Sequence, residues 1–328
     1  MIMTSLSSND NNLLSTISDS TVSHSNASWR DGLLADWTVI IRNRRFPVHR
    51  YVLGLGARSS TYFYNQFHFY PAIGSDESVL QLGRALLCTC SSENCNCPAT
   101  TTVQMEEIDK AVEMYFHHVL EYMYEGTIQF TEDNIACIYA IADFLQIGSL
   151  LSCLEDDVFD LINKSNVINI LMAAEKFRLH SGVIIRQCVE LLAKSFSEFS
   201  FEEWSKIPAS WLHQIFGHAN CVLSTDKIVR CVLRLFRENG SQLSRTDTLV
   251  LLLNISEHSF ELPGADALYL MTLVEMFSQS QFDRDTRDSH LQSLTTLQNR
   301  CFDILAWNFH ELPVDSLAAL SVTSVLNL

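Results

Sequence analysis

Apolar stripes at helical spacing, with very little punctuation between them, constrain this chain most. From about residue 165 onward Val167, Ile170, Leu171, Ala174 and Phe177 line one helix face, and Val189, Leu192, Phe196 and Phe199 line the next. Ser200 with Glu203 three residues on is a capping box that opens a further short helix. Ile228, Val232, Leu235 and Phe236 follow, Asn239-Gly240 stops that run, and more stripes cross 265–277 and 291–309. Only 6 Pro and 11 Gly stand among 328 residues. A sandwich or barrel needs a turn about every ten residues, so an all-β fold is excluded.

The first half mixes periods. Residues 1–28 hold 18 Ser, Thr, Asn or Asp and too few apolar groups to offset the entropy of ordering, which predicts a disordered tail. Trp37-Thr-Val-Ile-Ile41 is β-branched and aromatic, the polar Arg42–Arg45 run makes a turn, and Phe46-Pro-Val48 returns, which predicts a hairpin. His49 to Leu55 forms a first helix, and Ser59 or Ser60 caps a second that carries Tyr62, Phe63, Gln66 and Phe67. Residues 70–103, with Pro71, Gly74, Gly83, Pro98 and a Cys/Ser/Asn tract, form a long loop insertion. Helical phase resumes at Val112, Phe116, Val119, Leu120 and Met123 and ends at Gly126. The strand Thr127–Phe130 then leads to Thr131, an N-cap for a helix through Ile135, Ile138, Ala142 and Leu145.

Charge narrows the function classes. Lys and Arg total 22 against 38 acidic residues, a net charge of −16, which repels phosphate backbones and anionic headgroups. No nucleic acid partner and no membrane are expected, since the densest apolar run, Leu249–Leu253, is far too short to span a bilayer. The N-terminus lacks an apolar signal core, so the chain is expected inside the cell, in cytoplasm or nucleus, with its 10 cysteines reduced. Cys88, Cys90, Cys95 and Cys97 form the one metal-like cluster, with thiolates that suit Zn(II) or Cu(I). The alternative is an exposed, redox-sensitive loop, and no cofactor or resident metal is assigned. His117 and His118 are adjacent on a helix, about 100° apart, and do not face one metal together.

The helical half also matches itself. Cys188–Phe199 aligns without gaps on Cys301–Leu312, sharing Cys, Leu-Ala, Phe and Glu at an offset of 113. The apolar register of Trp204, Ile207, Leu212 and Ile215 falls on Leu317, Leu320, Val325 and Leu328. A partial second copy over 290–328 follows, with Ser278–Ser289 as linker and Leu328 as a point of truncation.

Asp36-Trp-Thr-Val-Ile-Ile41, Phe46-Pro-Val-His49-Arg50-Tyr-Val-Leu53, Ala57-Arg-Ser59-Ser-Thr-Tyr-Phe63 and Phe67 resemble the opening half of a BTB/POZ domain. Val119-Leu-Glu-Tyr-Met-Tyr124-Glu-Gly126 and Ala142-Asp-Phe-Leu145-Gln-Ile147 resemble its closing half. The helices that follow, with Ala173-Ala-Glu-Lys-Phe177, resemble the BACK region. The resemblance implies an α+β BTB/POZ domain over 29–160, a small sheet flanked by helices, and then an all-α BACK-like region over 161–277. It also implies a homodimer, with Asp36, His49 and Arg50 at or beneath the dimer face and Asp36 paired with Arg50. Many such proteins are substrate adaptors of cullin-RING ubiquitin ligases. Here the hydrophobic-X-Glu motif that favours cullin binding is replaced by Phe67-His-Phe-Tyr-Pro, which leaves Phe67, Phe69 and Tyr70 as candidate partner-binding residues.

No Ser or Cys nucleophile sits in an activating context, and the Gly54-Leu-Gly56 stretch lacks the strand and Lys of a phosphate loop, so no catalytic residues are assigned. The expected function is a non-enzymatic protein-interaction scaffold that binds itself, an unidentified protein partner and, as an adaptor, a cullin. The competing readings are a homotypic assembly scaffold without a ligase role, and a thiolate metal or redox sensor on the Cys88–Cys97 loop.

Overall fold

The computed structural model describes residues 15–18, 29–69, 76–87, 102–179, 182–240, 243–256, 260–278 and 287–308. Its first element, β1 (Ser15–Ser18), pairs antiparallel with Thr127–Phe130 from Ser15 opposite Phe130 to Ser18 opposite Thr127. Part of the tail expected as disordered is therefore a strand. Its backbone groups satisfy an otherwise open sheet edge, and Thr16 and Ile17 are β-branched.

Alternation along β2 (Trp37–Ile41) buries Trp37, Val39 and Ile41 on one face. A two-residue turn, with Arg42 at φ 52°, leads into β3 (Arg44–Val48), so the turn is tighter than the Arg42–Arg45 span expected. Next come α1 (Arg50–Leu55) and α2 (Thr61–Phe69). Ser60 caps α2 by accepting the Phe63 N–H at 3.1 Å, and its hydroxyl donates to the Leu145 carbonyl. The stretch 70–103 is not one loop. It holds β4 (Glu77–Val79), parallel to β2, and α3 (Leu82–Leu87), which give a sheet of order β3-β2-β4. Ser78 is buried and accepts the Trp37 indole N–H at 2.7 Å, while Leu80 and Leu82 enter the core. Asp109 accepts the Gly83 N–H at 2.8 Å, and a β-carbon on Gly83 would collide with the Met105 carbonyl. Elements of three and six residues are too short to show a period, which is why the sequence hides them.

Helix α4 (Thr102–Glu125) crosses the domain and buries Ile108, Val112, Phe116, Val119, Leu120 and Met123. Each such side chain contributes about 1.5–3 kcal/mol when fully buried. Gly126, at φ 76°, ends it. A β-carbon there would sit 2.9 Å from the Arg58 guanidinium carbon, and Arg58 donates to the Tyr122 and Tyr124 carbonyls at 2.8 and 3.3 Å. After β5 (Thr127–Phe130), α5 (Ile135–Phe144) starts behind Asn134 rather than Thr131. The Asn134 carboxamide reaches back to accept the Thr131 N–H and to donate to the Gln129 carbonyl, which ties the start of the helix to the end of β5.

Helices α6 (Gly148–Leu161), α7 (Val167–Lys176) and α8 (Val183–Ser195) follow. Asn166 precedes α7 as Asn134 precedes α5, its carboxamide accepting the Asn163 N–H at 2.9 Å and donating to the Leu161 carbonyl at 3.1 Å. Both helices end alike, with Gln146 and Arg178 each at φ 53°. The chain divides into two compact units, 1–188 and 189–328, with the division inside α8. Helix α7 packs on α5 in the first unit, beyond the 160/161 boundary expected from the sequence.

The second unit is helical throughout its described residues. A 3-10 turn, Phe196–Glu198, precedes α9 (Phe201–Trp204), whose Ser200/Glu203 capping box forms as expected. Then come α10 (Ala209–Phe216), α11 (Thr225–Asn239), α12 (Arg245–Ser256), α13 (Gly264–Ser278) and α14 (Arg287–Asn308). Phe196 packs on Trp204 and Phe216 at 5.5 and 5.1 Å between ring centres. Along the proposed repeat, Cys188 and Cys301 are buried, as are Leu192 and Leu305, while Lys194 and Trp307 are exposed. Residues 309–328 lie outside the described residues.

Candidate interaction face and cleft

The junction of β3 and α1 brings Asp36, His49 and Arg50 together, but not as an Asp–Arg ion pair. The Asp36 carboxylate accepts the Arg50 backbone N–H at 2.8 Å and so caps the start of α1. The Arg50 guanidinium turns away to Asp76 at 2.6 Å and lies over the Trp37 ring at 4.4 Å. Because Asp76 is mostly solvent-exposed, that ion pair contributes little to stability. The cap and the ring contact replace the buried pair expected.

His49 is held on three sides. Its backbone N–H donates to the Tyr124 hydroxyl at 2.8 Å, its Nδ1 lies 2.9 Å from the same oxygen, and its Nε2 lies 2.9 Å from the Leu33 carbonyl. Burial pushes the Tyr124 phenol up to about 12, so it stays protonated at neutral pH. Around this junction stand large apolar side chains in water. Leu33 is 72% exposed, Leu34 84%, Tyr51 70% and Leu55 54%. Leu34 adopts φ 60°, a left-handed backbone that leucine rarely takes.

Elsewhere in this unit a cleft of about 340 Å³ opens between α2 and the turn joining α5 to α6. Tyr62, Asn65, Gln66 and Gln146 line it. The N-terminus of α2 closes one end, where the Thr61 and Tyr62 N–H groups donate to the Gln146 and Leu145 carbonyls at 3.3 Å. Burial raises the Tyr62 phenol pKa, and Gln66 Oε1 is buried without a hydrogen-bond partner. Among the described residues no charged group lines the cleft, so these side chains suit neutral hydrogen-bonding chemistry.

Phe67 is half-buried, and its ring packs against Trp37 and Phe63 at 5.2 and 5.8 Å, within the domain. Phe69 is the last residue of α2, and Tyr70 lies outside the described residues. Cys88, Cys90, Cys95 and Cys97 also lie outside them. Among the described residues no three His, Cys, Asp or Glu side chains converge as metal ligands. The His117 and His118 rings instead lie beside each other, tilted by 37° with ring centres 3.9 Å apart. Burial pushes the Cys137, Cys188 and Cys301 thiols up to about 12, which keeps them protonated and poor nucleophiles.

The family model described as BTB/POZ domain matches residues 74–160, from just before β4 to the end of α6. This chain carries a BTB/POZ domain. The sheet β3-β2-β4 ties the preceding residues, with their hairpin and α1–α2 pair, to the matched span. The BTB/POZ domain is thus a small sheet flanked by helices, and a helical region follows it. No curated protein matches the sequence. Among the described residues no helix is long and apolar enough to cross a membrane.

The sequence alone pointed to Asp36, His49 and Arg50, but not to Leu33, Leu34, Tyr51 and Leu55. Single apolar residues in an otherwise polar loop or on a short helix carry no pattern. The carboxamides of the cleft gave no signal either, since Asn and Gln stand on most helix surfaces.

Proposed function

We propose that this protein is a non-catalytic scaffold that self-associates through the face around α1 and offers its helical, BACK-like second unit to another protein. One observation carries the reading: Leu33, Leu34, Tyr51 and Leu55 stand exposed around one junction of the BTB/POZ domain. An exposed apolar cluster of this kind marks an interaction site. A two-fold contact suits it, because such an interface pairs a patch with itself. Two binding modules on one dimer then raise effective concentration without any covalent step. Light scattering on the full chain tests this. The wild type should have the mass of a dimer at micromolar concentration, and Leu34→Asp should have that of a monomer. A wild-type monomer at tens of micromolar, or a dimeric Leu34→Asp, overturns the reading.

A second reading is favoured by the cleft, where the buried Gln66 Oε1 awaits a donor. A cullin helix docked there, with Phe69 and Tyr70 as aromatic anchors, would make the protein a ubiquitin-ligase adaptor. Without the hydrophobic-X-Glu motif the affinity expected is micromolar. Calorimetry against a cullin N-terminal fragment decides it: absence of heat at high micromolar concentration leaves the assembly scaffold alone.

A further inference from the structure

The segment from Trp29 to Asp36 is anchored firmly at its ends and lightly in its middle. At one end Trp29 is buried beside Phe46, and Arg30 bonds to Glu121 and Glu125 of α4. At the other, the Asp36 N–H donates to the Val48 carbonyl at 3.2 Å. Between them the backbone turns with Gly32 at φ 57° and Leu34 at φ 60°, closed by an Ala35 N–H to Gly32 carbonyl bond of 3.2 Å. The only side chain of the domain bonded to this turn, among the described residues, is His49, through Nε2 and the Leu33 carbonyl. A carbonyl accepts, so Nε2 must carry the proton. The Tyr124 hydroxyl favours that tautomer, since it accepts the His49 backbone N–H and can give its own proton to Nδ1.

We propose that Tyr124 and His49 are positioning residues for self-association: the hydroxyl fixes the imidazole tautomer, and Nε2–H holds the Leu33 carbonyl so that Leu33 and Leu34 stand outward as the apolar centre of the contact. This rests on the self-association reading above. The occupant is a second copy of this chain. The chain as a whole carries −16, which would repel a copy, yet most charges around this face are internally matched. Arg50 pairs with Asp76, Asp36 caps α1, and Arg30 sits between two glutamates. Of the charges in the 29–36 segment only the exposed Asp31 stands outside these contacts, so the face is mainly apolar surface that can meet apolar surface.

Sedimentation equilibrium on the full chain, with hydrogen exchange read at residues 33–35, tests the proposal. Tyr124→Phe keeps the ring and frees the tautomer, and it should weaken self-association about tenfold, the effect of one lost hydrogen bond, while exchange at 33–35 quickens. His49→Asn, whose amide is too short to reach Leu33, should do the same. His49→Gln places an N–H at the reach of Nε2 and needs no tautomer selection. It should stay near the wild-type constant, and adding it to Tyr124→Phe should restore association. If Leu34→Asp dimerises like the wild type, or the wild type is a monomer, the underlying reading fails and this one with it. If Leu34→Asp is a monomer while Tyr124→Phe and His49→Asn associate like the wild type, only the positioning role is overturned. Should Tyr124→Phe fail to fold, the His49→Asn and His49→Gln pair decides in the same way.

Discussion

Helices α5 and α7 start and stop by the same rules yet live in different surroundings. Each begins after a buried Asn that closes its own turn, and each ends on a residue at φ 53°. The Ile147 N–H bonds back to the Ala142 carbonyl at 2.9 Å, as the Leu179 N–H bonds to that of Ala174 at 3.0 Å. The burial differs. Every residue of α5 from Ile135 to Ala142 is buried except Tyr139, whereas α7 exposes Asn169, Met172 and Lys176. Local side-chain chemistry therefore sets where a helix begins and ends, and the neighbours it packs against set how many of its faces are apolar.

Exchanging residues between the two helices should break that symmetry most. Ala140 is buried where its counterpart Met172 is exposed, so Ala140→Met should overpack α5 and cost about 2–3 kcal/mol in denaturant melts. A cost near zero would mean α5 is not enclosed as described. The two asparagines should then prove equal: Asn134→Ala and Asn166→Ala each remove a buried carboxamide with two bonds to the preceding turn and should cost about 2 kcal/mol. A difference above about 1 kcal/mol between them would show that tertiary context, not the local turn, dominates.

Acid offers a control, because neither helix carries a histidine. On α4, burial and then the neighbouring His118 lower the His117 pKa below its ordinary 6.5. The unfolded chain then binds the proton more readily, so stability is full above that ordinary value and falls as pH drops through the lowered one. His117→Gln should flatten this part of the stability–pH profile, and an unchanged slope would exclude His117 as its source. The smallest effect expected is Met172→Ala, about 0.5 kcal/mol or less, since that side chain already faces water.

Much of this architecture was legible in the residues. The hairpin, the Ser60 cap, the stop at Gly126 and the Ser200/Glu203 box follow from local chemistry that no neighbour overrides. The relation of α5 to α7 was also written there, as Asn134-Ile135, Ile138 and Ala142-Asp143 against Asn166-Val167, Ile170 and Ala174-Glu175. A search guided by apolar phase alone passes over it, because the asparagines carry the signal. Strand β4 and helix α3 were too short to detect. The partners of Asp36 and Arg50 depended on where Asp76 returns to the sheet, which no local pattern encodes. The face of Leu33, Leu34, Tyr51 and Leu55 is a property of three-dimensional exposure and cannot be counted from spacing.

Self-association through that face is the central claim, and sedimentation equilibrium of the wild-type full chain beside a Tyr51→Asp, Leu55→Asp double variant tests it most directly. Both residues are exposed on the single chain, so the variant should still fold. The account predicts a wild-type dimer across the micromolar range and a variant that stays a monomer throughout it. Equal masses for the two proteins, whether both dimers or both monomers, would contradict it.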